Sequence, residues 1–164
     1  MLRKFRRKVF ETNSSSTHSI SIYKWKKPEE HDIPSNSSLE VTGYVSGRTE
    51  ITDEVSKLNY IVVMLASLIE NDDNFDYDTA TLNDVINYKW FVWLKEIVKE
   101  QRNTDIVFKT DQACFPFFET TYDEGRGIKK VLDCDIDDKT EFKTRITSII
   151  FEPDMIIEDK ENEY

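Results

Sequence analysis

Two stretches of the chain repeat their apolar residues every three to four positions, and no sheet-only fold accommodates both. Over 53–70 the repeating set is Val55, Leu58, Ile61, Val62, Leu65, Leu68 and Ile69. Over 81–102 it is Val85, Ile86, Trp90, Trp93, Leu94, Ile97 and Val98, with Phe91 and Val92 widening the stripe. A 3.6-residue period places each set on one helix face. Thr52 and Thr81 stand where a short hydroxyl side chain caps the first turn. The reading predicts two long helices with Leu65 and Trp93 at mid-stripe. Their faces are broad enough to pack on a sheet as well as on each other.

The remaining chain supplies the strands. Residues 5–11 and 17–24 alternate with period two on either side of the turn-forming run 12–16, which predicts a strand–loop–strand unit over 5–24 and, at its simplest, a hairpin. Pro28, Pro34 and the serines at 35–38 mark 25–38 as a loop. Short strands are expected over 39–45, 105–109, 128–136 and 155–158. Residues 71–80 read as an acidic loop, 111–127 as an irregular stretch with an aromatic cluster, and 140–150 as a short helix or another strand. From Asp159 the chain is expected to fray. Strands and helices are grouped rather than alternating, which argues for α+β over doubly wound α/β. The expectation is one α+β domain over 1–158, with a mixed or antiparallel sheet packed against two long helices and a frayed tail at 159–164.

Charge is unevenly spread. The chain of 164 residues carries −10 overall. Residues 1–27 hold eight basic residues against Glu11, a net of +7, leaving −17 for residues 28–164. A net field of this sign repels phosphate, so duplex nucleic acid is disfavoured as a partner. The simplest meaning is a solvated acidic surface. A basic anion site set in a negative body, and an acidic surface that imitates nucleic acid in another protein's basic groove, are the sharper alternatives. No apolar run approaches the roughly 18 residues of a membrane span. The start MLRKFRRKVF lacks the apolar core of a secretory signal. Cys114 and Cys134 make no disulfide framework, so a reducing, cytoplasmic setting is expected.

One segment has unusual local chemistry. Phe10–Ser19 packs a carboxylate, an amide, an imidazole and six hydroxyls into ten residues. Ser, Thr and Asn dominate ordinary turns, and a structural turn is the plain reading. The functional reading adds Arg6 and Arg7 just upstream. A guanidinium, hydroxyl donors and backbone N–H groups can converge on an anion, and His18 adds a group that titrates near neutral pH. The candidate ligand-binding set is Arg7, Glu11, Thr12, Asn13, Ser14, Ser15, Ser16 and His18.

The string Arg7, Phe10, Glu11, Thr12, Asn13, Ser14, Ser15, Ser16, Thr17, His18 and Ser19 resembles the N-terminal signature of a poorly characterised family carried by phages and bacterial mobile elements. The stretch Lys57-Leu58-Asn59-Tyr60 is similar to that family as well. The resemblance implies a phage-type accessory protein in a bacterial host cell that interferes with host machinery or defence; with the local chemistry, the leading expectation is a protein that binds a host protein or a small anionic ligand without catalysis. The resemblance carries no catalytic residue.

No catalytic or metal pattern is complete in these residues. His18-Ser19-Ile20 is similar to the H-x-S/T element of two-histidine phosphoesterases, but the second copy fails at His31-Asp32-Ile33. No nucleophile elbow, P-loop or Gly-x-Gly-x-x-Gly is present. An enzyme acting on a nucleotide or phosphate ester at the Ser-rich loop is the runner-up to a binding protein. Asp133, Asp135 and Asp137 would line one face of a strand, holding Mg²⁺ or facing water. Water is favoured, since no EF-hand spacing fits. Neither a metal nor a cofactor is expected.

Overall fold

The computed structural model describes residues 16–24, 32–42, 50–70, 72–76, 79–109 and 132–163. Helix α1 spans Glu54–Glu70. Its cap is Asp53 rather than the expected Thr52: the Asp53 carboxylate accepts from the Ser56 N–H at 2.8 Å, and its carbonyl accepts the first helical bond from Lys57. A carboxylate there also complements the positive end of the helix. Leu58, Ile61, Val62, Met64, Leu65, Ala66, Leu68 and Ile69 are all buried. A helix apolar on so many sides belongs at the centre of a domain, not at its surface.

The expected helix over 81–102 is two helices. The short α2, Leu82–Ile86, starts at Thr81 in a reciprocal capping box with Asp84. The longer α3 spans Lys89–Arg102. Between them Tyr88 takes an extended backbone, with φ −64° and ψ 148°. The break is held by side chains. Asn87 Nδ2 donates to the Asn83 carbonyl at 2.8 Å, and Lys95 Nζ donates to the Ile86 carbonyl at 2.8 Å. The Lys95 bond satisfies a carbonyl that a continuous helix would have paired internally, while the Asn83 carbonyl also keeps its bond from the Asn87 N–H. Periodicity alone reads through such a break, because the apolar spacing continues across it. Helix α3 buries Trp90, Phe91, Leu94, Ile97 and Val98, and ends at Asn103, whose φ of 52° is the left-handed conformation that stops a helix.

Residues 139–151 settle as a helix. Helix α4, Lys139–Phe151, is capped by Asp138, which accepts from the N–H groups of Thr140 and Glu141. It buries Phe142, Ile146, Ile149 and Ile150. Among the described residues there are therefore three substantial helices where two were expected, within the α+β class that the sequence predicted. Trp93 is half-buried and meets Phe142 edge-on, with ring centroids 5.4 Å apart.

Five strands are present among the described residues. In the antiparallel sheet, ordered β1–β5–β3, β1 is Ser16–Lys24, β3 is Glu50–Ile51 and β5 is Met155–Glu163. Strand β5 runs five residues past the predicted end, so the chain from Asp159 is paired along β1 rather than frayed. The other ladder is parallel: β2, Ser38–Val41, lies beside β4, Asp105–Phe108. Parallel strands need a long crossover, here the chain carrying α1, α2 and α3. The strand expected over 39–45 is seen to Val41, and residues 43–49 lie outside the described region. So do the strand expected over 5–11 and the irregular stretch 111–127. Within the strand expected over 128–136, Leu132 is helical and 133–136 are turn and bend instead, with Asp133 at φ 55°.

Leu65→Ala is expected to destabilise the fold by about 2–5 kcal/mol through lost burial and a residual cavity. A urea midpoint that does not fall would show that α1 is not the centre of the core.

Candidate functional site

The signature segment enters the structure at its end. Arg7, Glu11, Thr12, Asn13, Ser14 and Ser15 lie outside the described residues. Ser16 and His18 lie on β1, together with Thr17 and Ser19. In the β1–β5 register Ser16 is opposite Glu163, Thr17 opposite Asn162, His18 opposite Glu161 and Ser19 opposite Lys160. The hydroxyl-rich run therefore does not end in a free loop. Its last residues are strand, paired with the acidic end of the chain.

The second stretch of the resemblance, Lys57-Leu58-Asn59-Tyr60, is fully described and packed. Lys57 is 1% exposed, and its ammonium donates to the Glu152 carbonyl at 3.1 Å, in the turn between α4 and β5. Burial pushes its pKa below the ordinary lysine value, against the opposing pull of Glu54, Asp53, Asp154 and Glu152. Asn59 accepts from the Thr42 N–H at 3.1 Å just past β2, and donates to the Val55 carbonyl one turn back. Leu58 and Tyr60 are core. This motif fastens α1 to the α4–β5 turn and to the end of β2.

Beside Lys57 is a charged group that periodicity did not reveal. The Glu54 carboxylate is gripped by Arg102 through both Nη2 and Nε, and also accepts the Ile33 N–H at 2.9 Å. Arg102 lies over the Phe151 ring, 5.3 Å from its centroid. Its guanidinium pKa is raised chiefly by the hydrogen bond to Glu54. A signal was present in the sequence for Lys57. It stands on the same i, i+4 row as Ile61, Leu65 and Ile69, so a lysine occupies a position that the helix period assigns to the core.

A second polar cluster lies at the α2–α3 break. Tyr88 Oη donates to Asp72, which also accepts from the Asn74 N–H and side-chain amide, both at 2.9 Å. Burial opposes ionisation of Asp72, but these bonds outweigh it and hold the carboxyl below its usual range. Burial and the same bond push the Tyr88 phenol upward. Lys89 pairs with Asp137 at 2.6 Å and lies over the Tyr88 and Trp90 rings.

The three aspartates considered for Mg²⁺ do not line a strand. Asp133 sits in a turn, Asp135 accepts from the Asp137 N–H at 3.0 Å, and Asp137 pairs with Lys89. Among the described side chains, no three His, Cys, Asp or Glu residues gather as a metal site. Burial pushes the Cys134 thiol up to about 11, which suppresses the reactive thiolate at neutral pH.

Two predictions follow from the charged group. Arg102→Ala is expected to cost about 3 kcal/mol, because it strands a buried carboxylate; urea unfolding measures it. Lys57 binds its proton less tightly when folded than when unfolded. Its penalty is therefore fully present below its folded pKa and is relieved as pH rises from there toward its ordinary value of 10.5. Lys57→Met should flatten that rise in the urea midpoint. An identical pH profile in parent and variant would show that Lys57 is not held this way.

Comparison with protein-family models, with curated proteins and with solved structures finds no match in any of the three.

Proposed function

We propose that the protein is a phage-type accessory protein that binds without catalysis, taking a small anionic ligand or a host protein through the signature segment Arg7–Ser19. One observation carries this reading. Of the two stretches that bear the resemblance, Lys57–Tyr60 is consumed by packing and hydrogen bonds inside the fold. The signature segment therefore carries whatever recognition the resemblance implies. Its last residues are held in β1, so a ligand at the preceding residues would meet a backbone already anchored on one side.

The chemistry of those residues favours an anion. The Arg7 guanidinium offers a planar fork to phosphate or carboxylate. Ser14, Ser15 and Ser16 would supply hydroxyl donors, and Glu11, four residues on, would orient Arg7 before the ligand arrives. The host-protein alternative uses the same residues against an acidic surface.

Thermal melting with nucleotides, cyclic nucleotides and inorganic phosphate tests the reading, on the parent protein and on Arg7→Ala, Ser15→Ala and His18→Ala. A bound anion at a hundredfold excess over its Kd should stabilise the parent by about 2.7 kcal/mol, and the shift should vanish in Arg7→Ala. Turnover of a phosphate ester that is lost in His18→Ala would replace this reading with an enzyme. No shift with any anion, together with variants that merely melt lower, would make the segment a structural turn.

A further inference from the structure

Lys89, Lys99, Lys109, Lys139 and Lys143 each form an ion pair with an Asp or Glu. Lys57 is buried with Glu54, Asp53, Asp154 and Glu152 acting on it. Lys95, near the middle of α3, differs. Its Nζ donates to the Ile86 carbonyl across the α2–α3 break at 2.8 Å and lies 5.5 Å from the centroid of the Phe108 ring on β4. Both partners are uncharged. Among the described residues no carboxylate of α2, α3 or β4 pairs with it, and Glu96, beside it in sequence, is taken by Lys139 and Lys143.

This setting favours the neutral amine. Burial without a countercharge disfavours the ammonium and pushes the Lys95 pKa below the ordinary lysine value. The neutral amine keeps an N–H for the Ile86 carbonyl and gains a lone pair. A lysine desolvated against apolar surface is the nucleophilic form of this side chain. Lys143 is the contrast. It is half-buried like Lys95, but its hydrogen bond to Glu100 and the charges of Glu100 and Glu96 hold its ammonium above the ordinary value. The two side chains therefore share a degree of exposure and differ in the charge around them.

We propose that Lys95 is an acylation site, taking an acyl group from a thioester. The amine lone pair attacks the thioester carbonyl carbon. The C–N bond forms as the C–S bond breaks, the thiolate leaves, and the surplus proton of the nitrogen passes to it. The products are a neutral amide on Lys95 and a free thiol, with no oxidant or reductant consumed. Acylation removes the cation from the Phe108 ring and leaves a neutral donor where a charged one stood. A charge-assisted hydrogen bond is about twice as strong as a neutral one, so the tie from α3 to the end of α2 weakens. The site uses none of residues 7–19 and stands or falls apart from the anion reading.

Brief exposure of the full chain to a small acetyl thioester, followed by site-resolved mass spectrometry, tests the site. Lys95 is expected to be acetylated several-fold faster than Lys143, with the buried Lys57 spared. In urea, where the fold is lost, the rates at Lys95 and Lys143 should converge. Equal rates in the folded protein, or a slower rate at Lys95, overturn the site. A preference for Lys95 that persists in urea overturns it as well, because it would then belong to the local sequence and not to the Ile86–Phe108 setting. The comparison is made within the parent protein, so it needs no variant to fold.

Discussion

A buried carboxylate holds this fold together at one end. Glu54 opens the central helix, and an ionised side chain there would cost several kcal/mol if it were left unpaired. It is paired three ways. Arg102 reaches it from the last turn of α3 with two nitrogens, and the Ile33 backbone donates from the segment ahead of β2. The same guanidinium rests on Phe151 at the end of α4. Four separated parts of the chain meet around one charge, and none can move without exposing or stranding it. Lys57, one turn further along α1, pins the turn that launches β5. The polar end of α1 therefore sets where α3, α4, β2 and β5 begin or end.

Cohesion comes from elsewhere. The side chains of α1, α3 and α4 form a continuous apolar core that extends to Ile51 and Ile157 in the antiparallel sheet, and burial of this kind is the dominant favourable term in folding. The charged group contributes geometry rather than bulk stability. A buried ion pair rarely outperforms well-packed apolar residues, but it is costly to break. The ion pairs of Lys139 and Lys143 with Glu96 and Glu100, at the α3–α4 surface, lie in water and are worth little each. The proposed recognition is assigned to the N-terminal segment instead. The charges that lock the core are already engaged by one another.

The local rules were strong enough to reveal most elements. The apolar periods of α1 and α3, the Thr81 cap, and β1 and β4 follow from short-range pattern, because side-chain direction repeats at 3.6 or 2 residues whatever the tertiary setting. The α+β grouping follows from their order. The failures have two causes. Asp53 displaces Thr52 as a cap through local bonds to the Ser56 and Lys57 N–H groups. Tyr88 interrupts a continuous stripe and 132–136 leave the expected strand, and there the decision lies with hydrogen bonds whose partners are chosen by three-dimensional placement. The Lys95 ammonium reaches the Ile86 carbonyl, and the Trp90 indole donates to the Ile136 carbonyl at 2.8 Å, 46 residues away in sequence.

For the candidate sites the division is sharper. Composition and spacing mark Phe10–Ser19 as chemically unusual, and they mark Lys57 as a lysine on a core row. They do not say that Lys57 serves the fold while His18 stands across from Glu161. Those facts depend on which strand lies beside β1 and in what register. A register is set by the packing of Ile22, Ile157 and Ile51 against the helices, since a slip of one residue would turn every side chain of the strand to the wrong face. The sequence by itself determined the apolar stripes of α1 and α3, several strand-forming runs and the unusual chemistry of the N-terminal segment. The tertiary structure alone decided which charges are buried as partners and which residues lie opposite one another in the β1–β5 ladder, because both depend on contacts between residues far apart in the chain.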